Sequence, residues 1–176
     1  MKLHIYLILL VLPAITLPYE FSLKKNNSIN AETIEYKNEN YKFKISYPKD
    51  WILREDLVPN TLFSLQDNMN ANQMLAATAG ETVGLIDSLY NSTIQLLELR
   101  MPGFHLISTK DTSINSVNCK IFTYKAYANG VSLKLRQYIL VGGGYSYFFI
   151  FTSTEAAFDT WIEKYENVVC SFEQIK

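Results

Sequence analysis

With 176 residues, 48% of them hydrophobic and 14% aromatic, the chain holds enough material for one packed core plus an extension and too little for two domains. A formal charge of -1 and a pI near 6.1 give no bulk electrostatic reason to bind nucleic acid or an anionic membrane surface, so neither is expected as a partner.

At the amino terminus Lys2 precedes the uncharged run Leu3 to Leu17, the basic n-region and apolar h-region of a secretory signal. Residues 1–18 are read as a signal peptide. An N-terminal anchor is the rival, because the run approaches the lower limit of about 17 residues for spanning a bilayer. Pro18 and the lack of an A-x-A site count against cleavage, and no Cys follows the run to accept a lipid. Residues 19–31 are polar and aperiodic, a flexible linker, and the domain proper occupies 32–176. The expected location is exported, periplasmic or extracellular, or inner-membrane anchored if the segment is retained; membrane contact is expected only through that segment.

Within the domain, Ile34 and Tyr36 alternate with charged residues, Asn38-Glu39-Asn40 supplies a turn, and Tyr41, Phe43, Ile45 and Tyr47 alternate again, which predicts a first hairpin. Pro48 ends it, and Trp51 is a candidate anchor. Thr61 to Gln66 and Gln73 to Thr78 read as short strands across a loop rich in Asn. Val83, Ile86, Tyr90, Ile94, Leu97 and Met101 recur at helical spacing, predicting a helix over 81–100, with Thr78 and Glu81 as a capping box and Pro102-Gly103 as the stop. Phe104 to Ser108 and then Asp111 to Val117 are read as leading, through a polar turn, into a strand meander.

Cys119 to Thr152 reads as three antiparallel strands, the body of that meander. Asn129-Gly130 is a strong hairpin signal, and Gly142-Gly143-Gly144 reverses the chain a second time. Between them Val131, Leu133, Leu135, Ile139 and Val141 form an inward row, interrupted by Gln137, while Ser132, Lys134, Arg136 and Tyr138 point to water. Tyr145 to Phe151 is apolar on nearly every position, which predicts a central strand covered on both faces. The last element is a helix whose apolar face carries Phe158, Trp161, Ile162, Tyr165, Val168, Val169 and Phe172, capped by Thr152 with Glu155 or by Thr154, with Cys170-Ser171-Phe172 locking its end.

No catalytic constellation emerges. His4 lies in the signal run and His105 stands alone, so neither a multi-histidine zinc site nor a His-based triad has support, and His105 reads as a surface loop residue. Asp50, Glu55, Asp56 and Asp67 lack the spacing of a calcium loop. The three glycines at 142–144 lack dinucleotide spacing and join strands. Lys42 and Lys44 share one strand face, as do Lys134 and Arg136; were those strands neighbours, a basic strip would dock an acidic partner. Catalytic, cofactor and metal residues are therefore expected to be none. Cys119 and Cys170 are candidates for a disulfide in an oxidising compartment, with two small buried hydrophobes as the alternative.

The segment Tyr41-Lys42-Phe43-Lys44-Ile45-Ser46-Tyr47-Pro48-Lys49-Asp50-Trp51, then Pro102-Gly103-Phe104, Asn129-Gly130 with Tyr138-Ile139, and Ser171-Phe172 resemble the PsbP-like family, the fold of the photosystem II extrinsic subunit and of bacterial DcrB-like relatives. The resemblance implies an α+β fold, an antiparallel sheet flanked by helices on both faces. It also implies a noncatalytic accessory or binding role in the cell envelope, with an unknown envelope protein or small ligand as partner. An envelope hydrolase with a loop-built site and a membrane-anchored interaction domain are the rivals.

Overall fold

A computed structural model describes residues 32–55, 60–68, 73–82 and 84–175. The segments read as signal and linker, together with Asp56 and Val83, lie outside the described residues.

The first hairpin forms as expected, β1 (Thr33–Asn38) pairing with β2 (Phe43–Pro48), and Asn38 Oδ1 accepts the Tyr41 amide at 3.0 Å to close the turn. Trp51 is buried and its ring meets Tyr165 at 4.4 Å, so it anchors the turn as predicted. A three-residue strand that the alternation did not announce, β3 (Ile52–Arg54), then pairs with β4 (Phe63–Gln66), which pairs with β5 (Met74–Glu81). Helix α1 spans Ile86–Arg100. The capping box predicted from Thr78 and Glu81 does not form. Both residues belong to β5, opposite Phe148 and Tyr145, and Leu85 caps the helix without a side-chain bond. Extended pairing to a central strand outweighs a cap bond there, so the helix starts five residues later than its pattern suggested.

The lead has no turn within it: it is a continuous strand, β6 (His105–Ile114), and it opens a meander of β7 (Val117–Ala128), β8 (Val131–Gly142) and β9 (Tyr145–Thr154). Both hairpin signals hold. Asn129 and Gly130 have φ of 52° and 78°, and Gly143 and Gly144 have 56° and 85°, the doubly positive pattern of a type I′ turn. Helix α2 (Phe158–Cys170) comes next, and β10 (Glu173–Gln174) returns to pair with β2. The predicted threonine caps are another correction: Thr152 and Thr154 sit in β9, and Ala157 precedes the helix with no side-chain cap.

Two antiparallel sheets result. Seven strands run in the order β3-β4-β5-β9-β8-β7-β6, and three run β1-β2-β10. The doubly apolar β9 is the fourth of seven, the central position its sequence demanded. Its residues Tyr147, Phe149 and Phe151 join a core with Phe158, Tyr165, Val168 and Val169 of α2 and with Phe43 and Ile45 of the small sheet. Its alternate residues Phe148 and Ile150 join a second core with Ile94 and Leu97 of α1. The row expected to meet water on β8 is instead covered on the α2 side: Tyr138 is fully buried, and Lys134 and Arg136 lie over the Phe158 ring at 4.5 Å and 5.7 Å.

The end of the chain is fastened to β2. The Ser46 amide donates to Ser171 Oγ at 2.8 Å, and the Ser171 hydroxyl has Val168 O at 2.6 Å and Ser46 O at 3.1 Å as acceptors. The Cys170-Ser171-Phe172 turn thus acts as the predicted lock, with Phe172 at 0% exposure stacked against Phe43 at 5.7 Å.

Candidate functional site

An open concavity lies where α1 hands over to β6. Pro102-Gly103 stops the helix: the Met101 amide still donates to Leu97 O at 2.8 Å, and Gly103 takes a positive φ of 66°. A side chain at Gly103 would run into the Tyr127 ring, so the turn needs glycine on two counts. The Tyr127 amide donates to Pro102 O at 2.8 Å, which ties the turn to the outer end of β7. Glu98, Met101, Gly103, Phe104, His105 and Leu106 line the open cleft of about 470 Å³ that results. His105 is exposed there, though as the first residue of an edge strand where a loop was expected. None of the lining side chains is a hydroxyl or thiol nucleophile.

Higher on the same side, Lys120 is buried to 6% exposure, and its ammonium meets Asp111 at 2.6 Å and Asp87 at 2.9 Å while lying 5.0 Å from the centre of the Tyr90 ring. The hydrogen bonds to Asp111 and Asp87 raise its pKa against the opposing pull of burial. Tyr90 also bonds Thr109 through their hydroxyls at 2.9 Å, so α1, β6 and β7 are stitched at one place. Sequence reasoning passed over Lys120, yet its signal was present: it stands in phase with Phe122, Tyr124 and Ala126, a lysine in a buried aromatic row.

On the α2 side the cations are likewise occupied. Arg136 bonds Thr123 at 3.1 Å and Glu166 at 3.2 Å, Lys134 bonds Asp159 at 2.8 Å, and Lys125 pairs with Glu155. Lys44 lies between Glu35 at 3.0 Å and Glu173 at 3.3 Å. Strands β2 and β8 belong to different sheets, so the basic strip conditional on their adjacency does not form. Tyr138 presents a buried hydroxyl with no hydrogen-bond partner, and burial raises its pKa, with Glu166 adding to the rise and Arg136 opposing it.

Cys119 and Cys170 are free thiols here, the first buried on β7 and the second exposed at the end of α2. Burial pushes the Cys119 thiol up to about 12, with a smaller push from Cys170, and Cys170 is also raised, by burial and then by Glu166. Both lie near the β6–β7 turn. Asn115 in that turn donates to Cys170 O at 3.4 Å and Phe172 O at 2.8 Å, and Cys119 pairs with Thr112 two rungs in. Among the described residues no three His, Cys, Asp or Glu side chains converge as a metal site, and no helix is long and apolar enough to cross a membrane.

A family model described as PsbP-like protein matches residues 20–173. Among solved structures, cyanobacterial PsbP (CyanoP) from Synechocystis sp. PCC 6803 is similar at a TM-score of 0.63 and 16% identity, over 88% of this chain and 98% of that one. LpqN of Mycobacterium tuberculosis, described as involved in cell envelope biogenesis, is similar at 0.61 and 13%, over 76% of this chain and 83% of that one. The Saccharomyces cerevisiae Ran-binding protein Mog1p is similar at 0.60 and 10%, over 83% and 97%. At these identities the likeness is one of fold. No curated protein matches the chain in sequence.

Proposed function

Since the chain belongs to the PsbP-like family, we propose that it is an exported, noncatalytic accessory or binding protein of the cell envelope, its α1–β6 cleft serving as the contact surface. One observation carries the reading: the cleft is open, sets Glu98 and His105 beside Met101, Phe104 and Leu106, and holds no hydroxyl or thiol nucleophile, the makeup of a binding surface. The α/β/α layering, with α1 and α2 on opposite sides of β9, supports it by committing the apolar residues of both sides of that strand to core packing. Envelope relatives such as LpqN support the location. Two measurements test the proposal together. Fractionation is expected to find the protein outside the cytoplasm, and a photo-crosslinking residue at Phe104 is expected to give an adduct there that one at Lys37, across the molecule, does not. A cytoplasmic location, or turnover of an ester or peptide substrate lost on changing Glu98 or His105, would overturn it.

In the same compartment Cys119 and Cys170 are proposed to pair. The two thiols would give up two protons and pass two electrons to a disulfide-bearing oxidoreductase. Alkylation of protein taken from the envelope without reductant is expected to leave both sulfurs unmodified until a reductant is added; two alkylated cysteines in the unreduced unfolded sample would refute the pairing.

A further inference from the structure

The described residues expose seven large hydrophobic side chains, and six of them collect at one end of the molecule. The pairing registers define that end. Leu106, Tyr124, Leu135, Thr152 and Met74 form one rung across the main sheet, and Ile52, opposite Gln66, stands at the same height on the far edge. Ile107 is the bulge beside Leu106, and Tyr127 projects beyond the rung at 55% exposure. Leu99, 79% exposed, lies in the last turn of α1, beside the Pro102 carbonyl that takes the Tyr127 amide. Ile34 comes to the same end through Thr33, opposite Pro48 beside Trp51, whose ring meets Tyr165 and so the Phe151 level. Leu85 is the exception, near the opposite end, where the Thr82 amide reaches Gly144 O.

The chain also enters the fold at this end, because Glu32 O accepts the Lys49 amide there. Upstream stand residues 1–31, which include the uncharged run Leu3 to Leu17. We propose that this rim rests on a lipid bilayer, with Leu99, Ile107 and Tyr127 inserted at the interface. Two features favour lipid over a protein partner. The apolar side chains are dispersed from β3 to β6, about 30 Å at roughly 4.8 Å per strand, on or beyond one rung of the sheet, which suits a fluid surface better than a contiguous protein patch. Lys49 pairs with Glu32 and Lys125 with Glu155, and the exposed charges that flank Leu99, Glu98 and Arg100, are of opposite sign, so these groups give no net pull toward anionic headgroups. Segment 18–31 could extend about 45 Å, enough to let the domain hang free, so the rim and not the tether decides the orientation.

This deepens the binding role proposed above and rests on it for its compartment. The test uses the full chain in phosphatidylcholine vesicles, with Cys170→Ser as background and single spin labels introduced by Leu99→Cys, Ile107→Cys or Leu85→Cys. The labels at 99 and 107 are expected to collide with oxygen several-fold more, relative to a water-soluble nickel chelate, than the label at 85, and 1 M salt is expected to leave the ratio unchanged. Equal, aqueous ratios at all three positions would overturn the proposal, as would failure of the chain to sediment with the vesicles or immobilisation of the rim labels without lipid. A cytoplasmic location defeats the envelope reading whatever the labels report, whereas aqueous labels on an envelope protein defeat only the lipid contact.

Discussion

The two helices cover the main sheet on very different terms. Helix α2 buries Phe158, Tyr165, Val168 and Val169 and shares its side with the small sheet, where Phe43, Tyr147, Phe149 and Phe172 meet edge to face or stacked within about 6 Å. Helix α1 buries only Thr93 and Leu97, leaves Leu99 exposed, and closes its side with the Lys120 ion cluster and an open cleft. The difference teaches where stability is concentrated and where surface is left for contact: a side saturated with aromatic packing has little room to change, whereas a side held by charge and a few aliphatic contacts does.

Substitutions can break that contrast. Phe172→Ala empties a fully buried aromatic site and is expected to cost about 3–5 kcal/mol, against about 2–3 for Leu97→Ala on the α1 side, read as urea midpoints at constant slope. Equal losses would mean that the two sides are equally cooperative. Alkaline titration comes next. Cys119, Tyr138, Tyr165 and Lys120 all have folded pKa values raised above their ordinary ones, so the folded state holds their protons more tightly. Their contribution is complete below the unfolded values, about 8.5 for Cys and about 10 for Tyr and Lys, and is lost as pH climbs through the raised ones. Urea unfolding at stepped pH should therefore show stability falling above about pH 8.5; a level profile to pH 11 would contradict the burial of the thiol and the two phenols and the bonding of Lys120 to its two acids.

Smaller effects sharpen the reading of the ion cluster. Removing both acids with Asp87→Asn and Asp111→Asn strands the Lys120 ammonium and is expected to cost about 1–3 kcal/mol, while Lys120→Met, which frees two exposed carboxylates into water, should stay within about 1 kcal/mol. A larger loss for Lys120→Met would make the cluster a true stability element. Smallest of all, Tyr138→Phe deletes a hydroxyl with no partner and should leave neutral-pH stability unchanged or slightly higher, while flattening the alkaline limb. A drop of more than about 1 kcal/mol at pH 7 would point to a bond the hydroxyl makes in solution.

What the sequence made legible obeyed local rules. The β7–β9 meander could be read because Asn129-Gly130 and Gly143-Gly144 fix turns by backbone conformation, and because β9 carries apolar residues on both sides. Strand β6 escaped because an edge strand with one neighbour need bury neither face, and Ser108 to Ser113 accordingly shows no period. The helix starts were misassigned at Thr78 and at Thr152, where capping residues stand inside strands whose pairing is set by distant sequence. The cleft was illegible for a related reason: Tyr127 and Gly103 meet only through the fold, and nothing local to either announces the contact. Lys120 is the instructive middle case, visible in the alternation and simply not weighed.

The strand that completes the small sheet is Glu173–Gln174, and its partner is Phe43 and Lys44. Of the described elements β10 is made last, so β2 acquires its second neighbour only after α2 has been synthesised, and the Phe43–Phe172 stack waits for the same stretch. Synthesis in the N-to-C direction thus leaves the aromatic side of the sheet open until residues 172–174 are available. A polypeptide in that condition has not yet closed its aromatic core and still presents that apolar surface to its surroundings.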